Sequence, residues 1–227
     1  MIEVKGLKKV FQSQDVETIA LAGIDLQVEQ GDFVAVMGPS GCGKTTLLNL
    51  LGMIDEPSGG NYLFRGLDVQ SLSQKQKTRL RKENIGFVFQ NFNLIDDLSI
   101  WENIELPLIY LGVKRKERKR RVAKVIDQLE ITHRRNLLPI QLSGGQQQRV
   151  AVARAIVAGP KLLLADEPTG NLDSLHGEQV MSILNELNRD GMTIVMVTHS
   201  QHDASYSRRV VHLFDGQIIN ENINRSL

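Results

Sequence analysis

Cys42 is the only cysteine among 227 residues, so no internal disulfide framework holds this chain and nothing in its thiols points to secretion. No apolar run approaches the roughly 18 residues that a bilayer span needs. The longest candidate, LLNLLGMI at 47–54, is short and interrupted by Asn49. The opening MIEVKGLKKVF has neither the apolar core nor the cleavage site of a signal peptide. Net charge is +1, so bulk electrostatics give no pull towards nucleic acid or an acidic partner. There is no internal repeat and no low-complexity tract. These absences lead to the expectation of a cytoplasmic, soluble chain whose membrane spans, if it needs any, come from another subunit.

What is present is ordinary globular material: 41% hydrophobic and 23% charged residues, in a length that suits one domain with room for a sub-domain. Ile2 and Val4 alternate with polar residues, as do Ile24, Leu26 and Val28 before a turn at Glu29-Gln30-Gly31. Four runs differ: 32–37, 85–89, 161–165 and 193–198 are nearly continuous apolar stretches, as expected of strands buried on both faces. Helical patterns separate them. Val180, Ile183, Leu184 and Leu187 follow helical spacing up to a stop at Asp190-Gly191. Buried strands alternating with helices predict an α/β fold with a mostly parallel sheet. Phe214-Asp215-Gly216-Gln217 predicts a hairpin near the C-terminus. Residues 91–158 read as helices throughout. Ser99 and Glu102 form a capping box for a helix that Pro107 bends or ends, and Val122, Val125, Ile126 and Leu129 mark another. This stretch is expected to be a helical sub-domain inserted into a core made of 1–90 and 159–227.

GPSGCGKT at 38–45 fits G-x-x-x-x-G-K-[ST], with a buried strand before it and a helix opening at Thr46-Leu47-Leu48. Backbone N–H groups of such a loop cradle phosphates, Lys44 reaches the outer ones, and the Thr45 hydroxyl suits Mg²⁺. LLLADE ends another buried strand in two carboxylates, where ligands of open α/β sheets sit. Asp166 is expected as the Mg²⁺ partner and Glu167 as the general base for a water. His199 follows the strand at 193–198 in the same way and is placed to reach a γ-phosphate. His202 adds a spacing seen in metal sites, but no further ligand joins that pair. His133, His176 and His212 carry no pattern. LSGGQQQRVAVARA at 142–155 supplies a second anion site: Ser143 caps a helix that begins at Gly144 and Gly145.

Together these motifs resemble the nucleotide-binding subunit of an ABC transporter, nearly end to end. The loop is similar to Walker A, LLLADE to Walker B with its glutamate, LSGGQQQR at 142–149 to the family motif, Gln90 to the Q-loop glutamine, Asn171-Leu172-Asp173 to the D-loop, and His199 to the switch histidine. Phe11 holds the place of the aromatic that stacks on adenine, where tyrosine is usual, and Cys42 that of a common serine. The resemblance implies a RecA-like P-loop NTPase core with an antiparallel β sub-domain. It implies ATP held by Phe11 and by Gly38, Pro39, Ser40, Gly41, Cys42, Gly43, Lys44, Thr45 and Thr46. Mg²⁺ then lies at Thr45, Gln90 and Asp166, and catalysis falls to Glu167, His199, Gln90 and Lys44. It further implies a head-to-tail homodimer on ATP binding, in which Ser143, Gly144, Gly145, Gln146 and Asp173 meet the partner's nucleotide.

The stretches 85–108 and 165–174 resemble one branch, the ATPases of macrolide-efflux, lipoprotein-releasing and antimicrobial-peptide-exporting systems. That branch implies an integral permease working as a lever, with this chain peripheral on the cytoplasmic face of the inner membrane and touching the membrane through its partner. A cell-division ATPase that moves no cargo resembles the chain nearly as well. Soluble relatives of DNA repair and translation carry a coiled-coil insertion or two ATPase units, neither of which is present. The permease is expected near Phe92, Leu94, Ile95 and Leu98, unless those side chains simply pack inward. KRKERKRR at 114–121 has seven bases and one acid but no interleaved aromatics, so a solvated helix face is expected there and no direct nucleic-acid contact.

Overall fold

The structure, a computed structural model, describes residues 1–13 and 16–224. In chain order the elements are β1 (Ile2–Ser13), β2 (Val16–Val28), β3 (Phe33–Met37), α1 (Lys44–Leu51), β4 (Gly59–Phe64), β5 (Leu67–Asp68), α2 (Gln74–Asn84) and β6 (Ile85–Phe89). Next come α3 (Ile100–Tyr110), α4 (Arg115–Gln128), two short 3₁₀ turns and α5 (Gly144–Ile156). The chain closes with β7 (Leu162–Asp166), α6 (Ser174–Arg189), β8 (Thr193–Thr198), α7 (Gln201–Ala204), β9 (Arg209–Phe214) and β10 (Gln217–Ile223).

Two sheets result. The larger runs β10-β9-β3-β8-β7-β6, parallel except for the β9–β10 hairpin, and the smaller, antiparallel, runs β2-β1-β4-β5. The expected α/β class, mostly parallel sheet and antiparallel part are all present. The apolar runs explain the layering, because successive side chains of a strand face opposite ways. Phe33, Ala35, Leu163, Ala165, Ile194 and Met196 enter one core with α3 to α6. Val34, Val36, Leu162, Leu164, Val195 and Val197 enter the other, with α1 and the antiparallel sheet. Between β9 and β10 the turn residues Asp215 and Gly216 have φ of 44° and 71°, the two positive values that a tight two-residue hairpin requires.

Every regular element between Ile100 and Ile156 is helical, whereas 91–99, expected to be helical too, forms turns and irregular structure, and α5 shares one hydrophobic cluster with Phe33, Ala35 and Val88 of the large sheet. Pro107 does not end α3. The helix runs on to Tyr110, because proline removes only its own N–H donor and the neighbouring turns hold. Helix α2 carries no apolar stripe: Asn84 is its one buried residue, and its start is fixed by a Ser73–Gln76 capping box. Among the described residues, no helix is long and apolar enough to cross a membrane.

Candidate functional site

Strand register builds the site. Phe89 pairs with Asp166, Asp166 with Val197, and Met37 with Thr198. The residues just beyond these strand ends, namely Gln90, Glu167, His199 and Gly38, therefore emerge at one edge of the sheet. The phosphate loop closes there. Gly43 stands before α1 with φ of 104°, and a side chain on it would collide with the Ala20 carbonyl. No side chain caps α1, so its first backbone N–H groups stay free for an anion. Lys44 is buried, and its Nζ donates to the carbonyls of Gly38 and Pro39 at 2.8 and 2.9 Å, which draws the loop around the ammonium. Pro39, Ser40, Gly41 and Thr45 are exposed, Thr46 is half-buried, and Cys42 is packed inward in the core behind the loop.

Thr45 Oγ1 donates to Asp166 Oδ1 at 3.3 Å, across 121 residues of sequence. Burial raises the Asp166 pKa above its usual range, the Thr45 hydrogen bond opposes this, and the neighbouring Glu167 charge adds to it. A desolvated carboxylate beside a hydroxyl is a hard-oxygen pair that a small divalent cation would satisfy, so these residues fit Mg²⁺. Glu167 is held in the left-handed region, with φ of 45°. Its N–H donates to Val197 O at 2.9 Å, and its carbonyl accepts from Gly170 N at 3.0 Å. That strained backbone aims the carboxylate, with Oε2 2.9 Å from His199 Nδ1 and 3.3 Å from the His199 backbone N–H. The pair has the base-and-orienter geometry of water activation. His199, expected at a γ-phosphate, is here hydrogen-bonding partner to Glu167. Gln90 Nε2 donates to Asn171 Oδ1 at 3.3 Å, while Asn171 Nδ2 donates to Gln90 O and to Asn91 Oδ1 at 3.1 and 2.8 Å. Phe11 lies on β1 and is exposed, with Lys9 Nζ over its ring at 4.9 Å from the centroid.

The second anion site is a helix start, with one difference. Ser143 Oγ accepts from Gln146 N at 3.4 Å and Gln146 Oε1 accepts from Ser143 N at 3.1 Å, a capping box that turns the Gln146 side chain back onto its own helix. Gly145 is buried rather than open to a ligand: a side chain there would lie 2.5 Å from the His176 ring. The imidazole Nδ1 is 2.7 Å from Asp173 Oδ2, and Asp173 also caps α6 by accepting from His176 N at 2.9 Å. That backbone hydrogen bond, followed by the one to the His176 ring, lowers the Asp173 pKa. Gly144 neighbours Phe92, Leu172 and Asn171. None of these contacts belongs to the phosphate loop.

The sequence of motifs and the fold agree with the comparisons. The family profile described as ABC transporter matches residues 21–170.

The chain belongs to the ABC transporter family.

It is an ABC ATPase cassette. It is 49% identical over 218 residues, 96% of its length, to the macrolide export ATP-binding/permease protein of Wolinella succinogenes. The chain spans about a third (34%) of that relative's length. It is 46% identical to an uncharacterized ABC transporter ATP-binding protein of Methanocaldococcus jannaschii, with 99% of this chain and 100% of that one covered. Its fold superposes, at a TM-score of 0.92, 40% identity and full coverage of both chains, on the dimeric post-hydrolysis structure of the ATP-binding cassette MJ0796 bound to ADP and Pi.

Several residues outside the expected site hold its segments together. Gln148 is fully buried and ties α5 to the end of β6 and the turn after β7, donating to Phe89 O at 3.3 Å and to Pro168 O at 2.6 Å. It lies in the motif stretch 142–149, and its helical spacing with buried Val152 and Ala155 adds a second signal, a polar residue on an apolar face. Thr169 donates to buried Asp203, which pins the turn after Glu167 to α7. Arg154 donates to Asn93 O at 2.6 Å and Phe92 O at 2.9 Å, and so holds a segment whose residues 92 and 93 are both left-handed.

Proposed function

We propose that this cassette binds ATP with Mg²⁺ between two head-to-tail copies and uses its hydrolysis to drive a permease of the lever-type exporter branch. The observation that carries this reading is the meeting of Lys44, Thr45, Asp166, Glu167 and His199 at one sheet edge, while the capped start of α5 contacts none of the phosphate loop. A second copy supplies Ser143, Gly144, Gly145, Gln146 and Asp173 to a nucleotide that the first copy holds by Phe11 and residues 38–46.

Hydrolysis of ATP to ADP and phosphate is here positioning and electrostatics. Free N–H groups of α1 and the loop orient the phosphates, and Lys44 leaves its two loop carbonyls to meet their charge. Thr45 and Asp166 would hold Mg²⁺, with Gln90 swinging in from Asn171, and the ion would offset charge on the outer phosphate oxygens. Glu167 accepts a proton from the attacking water, His199 keeps the carboxylate aimed, and the released phosphate ends the contact across the dimer.

The permease is placed at an apolar groove of about 550 Å³ between β6, α3 and α5, where Phe87, Phe89, Pro107 and Tyr110 line the walls and Arg154 stands among them. Of the four residues expected at this surface, Leu94 packs against the core and Ile95 is exposed, and none of the four lines the groove. The macrolide-export relative carries ATP-binding and permease functions under one name, which supports a macrolide exporter, while peptide or lipoprotein cargo rests on the resemblance of 85–108 and 165–174 alone.

The test uses Glu167→Gln with ATP and Mg²⁺. Turnover should fall by about 10²–10⁴, as for loss of a general base, while nucleotide affinity holds and the chain elutes as a dimer. The same variant, purified from detergent-solubilised membranes, should bring a stoichiometric multi-span protein. Normal turnover, or a soluble nucleic-acid complex in place of the permease, would reverse the respective half of the reading.

A further inference from the structure

Gln148 has no place in the chemistry above, yet its surroundings are unusual. Its side chain is fully buried, both donors of Nε2 are spent on backbone carbonyls, and Oε1 has no partner among the described residues. An orphaned buried acceptor is costly, and a folded chain keeps one where the rest of the group is needed. Flipping the amide would turn Oε1 onto two carbonyl oxygens, so the orientation is fixed by its neighbours. Those neighbours are specific. Phe89 O is one residue before Gln90 and Pro168 O is one residue after Glu167. Gln148 itself sits four residues beyond Gly144, on the helix whose start is the second anion site.

We infer that Gln148 is a positioning residue for ATP hydrolysis: its carboxamide ties α5 to the segments carrying Gln90 and Glu167, and so sets the helix start presented to the partner's nucleotide relative to the strand ends. Arg154, two turns along the same helix, supplies a second tie to the residues after Gln90 through Phe92 O and Asn93 O. This arrangement gives one helix a hold on the groove wall, on the water-activating carboxylate and on the dimer interface. The inference rests on the head-to-tail reading above.

The test is Gln148→Met, close in volume and without donor or acceptor, with Gln148→Asn as a second variant whose shorter amide cannot span both carbonyls. Each is made alone and on the Glu167→Gln chain. Loss of one or two hydrogen bonds to the strand ends should weaken ATP-driven dimerisation of the Glu167→Gln chain about tenfold. Turnover should fall about as far, with affinity of the single subunit for a fluorescent ATP analogue within about twofold of the parent. A merely structural role would lower the melting temperature and nucleotide affinity together, or leave dimerisation and turnover untouched, and either result overturns the inference. If Gln148→Met does not fold, Gln148→Asn decides by the same criteria. If the Glu167→Gln parent itself stays monomeric with ATP, the head-to-tail reading fails and takes this inference with it, whereas a dimeric parent with undiminished Gln148 variants refutes this inference alone.

Discussion

Gly145→Ala isolates the reason for a glycine in the second anion site. The new methyl would stand 2.5, 2.7 and 2.8 Å from Cδ2, Cγ and Cβ of His176, well inside the ~3.5 Å of an ordinary carbon contact. Turning the ring away would relieve Cδ2 and Cγ and break the 2.7–2.8 Å contact of Nδ1 with Asp173, but it leaves Cβ in collision. That pair is itself worth only ~0–1 kcal/mol, its side chains being 35% and 66% exposed. Forcing a methyl into such a site costs ~1–3 kcal/mol, and the better helix propensity of alanine returns at most ~1 kcal/mol. The single variant should thus lose about 1–2 kcal/mol in urea denaturation of the nucleotide-free chain. His176→Gly removes all three atoms, Cβ included, while Asp173 keeps its backbone bond to residue 176, and the helix cost of glycine itself, about 1 kcal/mol, cancels in the cycle. The double variant should recover the loss, a coupling of ~1–2 kcal/mol against an additivity scatter of ~0.5 kcal/mol. ATP-driven dimerisation on the Glu167→Gln chain should recover with it, since the methyl points at His176 and not at the open helix start. Additive stabilities would refute the packing argument. A stable double variant that still cannot dimerise would mean that the Gly145 methyl meets the partner's nucleotide.

Three other outcomes are expected. Lys44→Ala removes a buried ammonium from the loop and should weaken ATP affinity at least tenfold, one charge-assisted hydrogen bond being worth ~1.5–3 kcal/mol; unchanged affinity in a titration would argue against its phosphate role. Tyr62 is fully buried and its hydroxyl donates to Leu51 O at 2.6 Å, so Tyr62→Phe should lower stability by ~1 kcal/mol with kcat unchanged, and equal melting curves would contradict it. Along α4, Glu117 already engages Arg120 and Arg121, and Arg118 engages Glu105. Replacing the exposed Lys116, Lys119 and Lys124 by Gln should therefore leave membrane recruitment of the assembled transporter nearly unchanged, and loss of recruitment would assign that face a lipid partner.

Most of the sheet and the residues gathered at its edge were legible because each rests on a local rule. Four apolar runs announced doubly buried strands, and the glycine loop with lysine and threonine announced its own chemistry. Helix α2 was not legible by periodicity, since it buries only Asn84; the Ser73–Gln76 pair was its one available sign. The groove lining escaped for a different reason. Phe87 and Pro107 come from elements 20 residues apart, so only their packing reveals a shared wall. The inward turn of Gly145 is similar: glycine spacing suggested openness to a ligand, but His176, thirty-one residues on, fills that side.

The catalytic edge shows how far a local rule reaches. No pattern within 85–90, 162–167 or 193–199 says that these segments are neighbours. Parallel pairing in one register does: with Phe89 opposite Asp166 and Asp166 opposite Val197, the first residues past the strands are brought together without any further instruction. A one-residue slip of β7 would carry Glu167 towards the opposite face and bury Asp166 in an apolar layer. The alternation of Leu162, Leu163, Leu164 and Ala165 between two cores forbids that slip, because both faces are already filled. The same packing that stabilises the sheet thus sets the position of the Glu167 carboxylate, the base of the proposed mechanism, and the strained φ of Glu167 is carried by strands that cannot shift to relieve it.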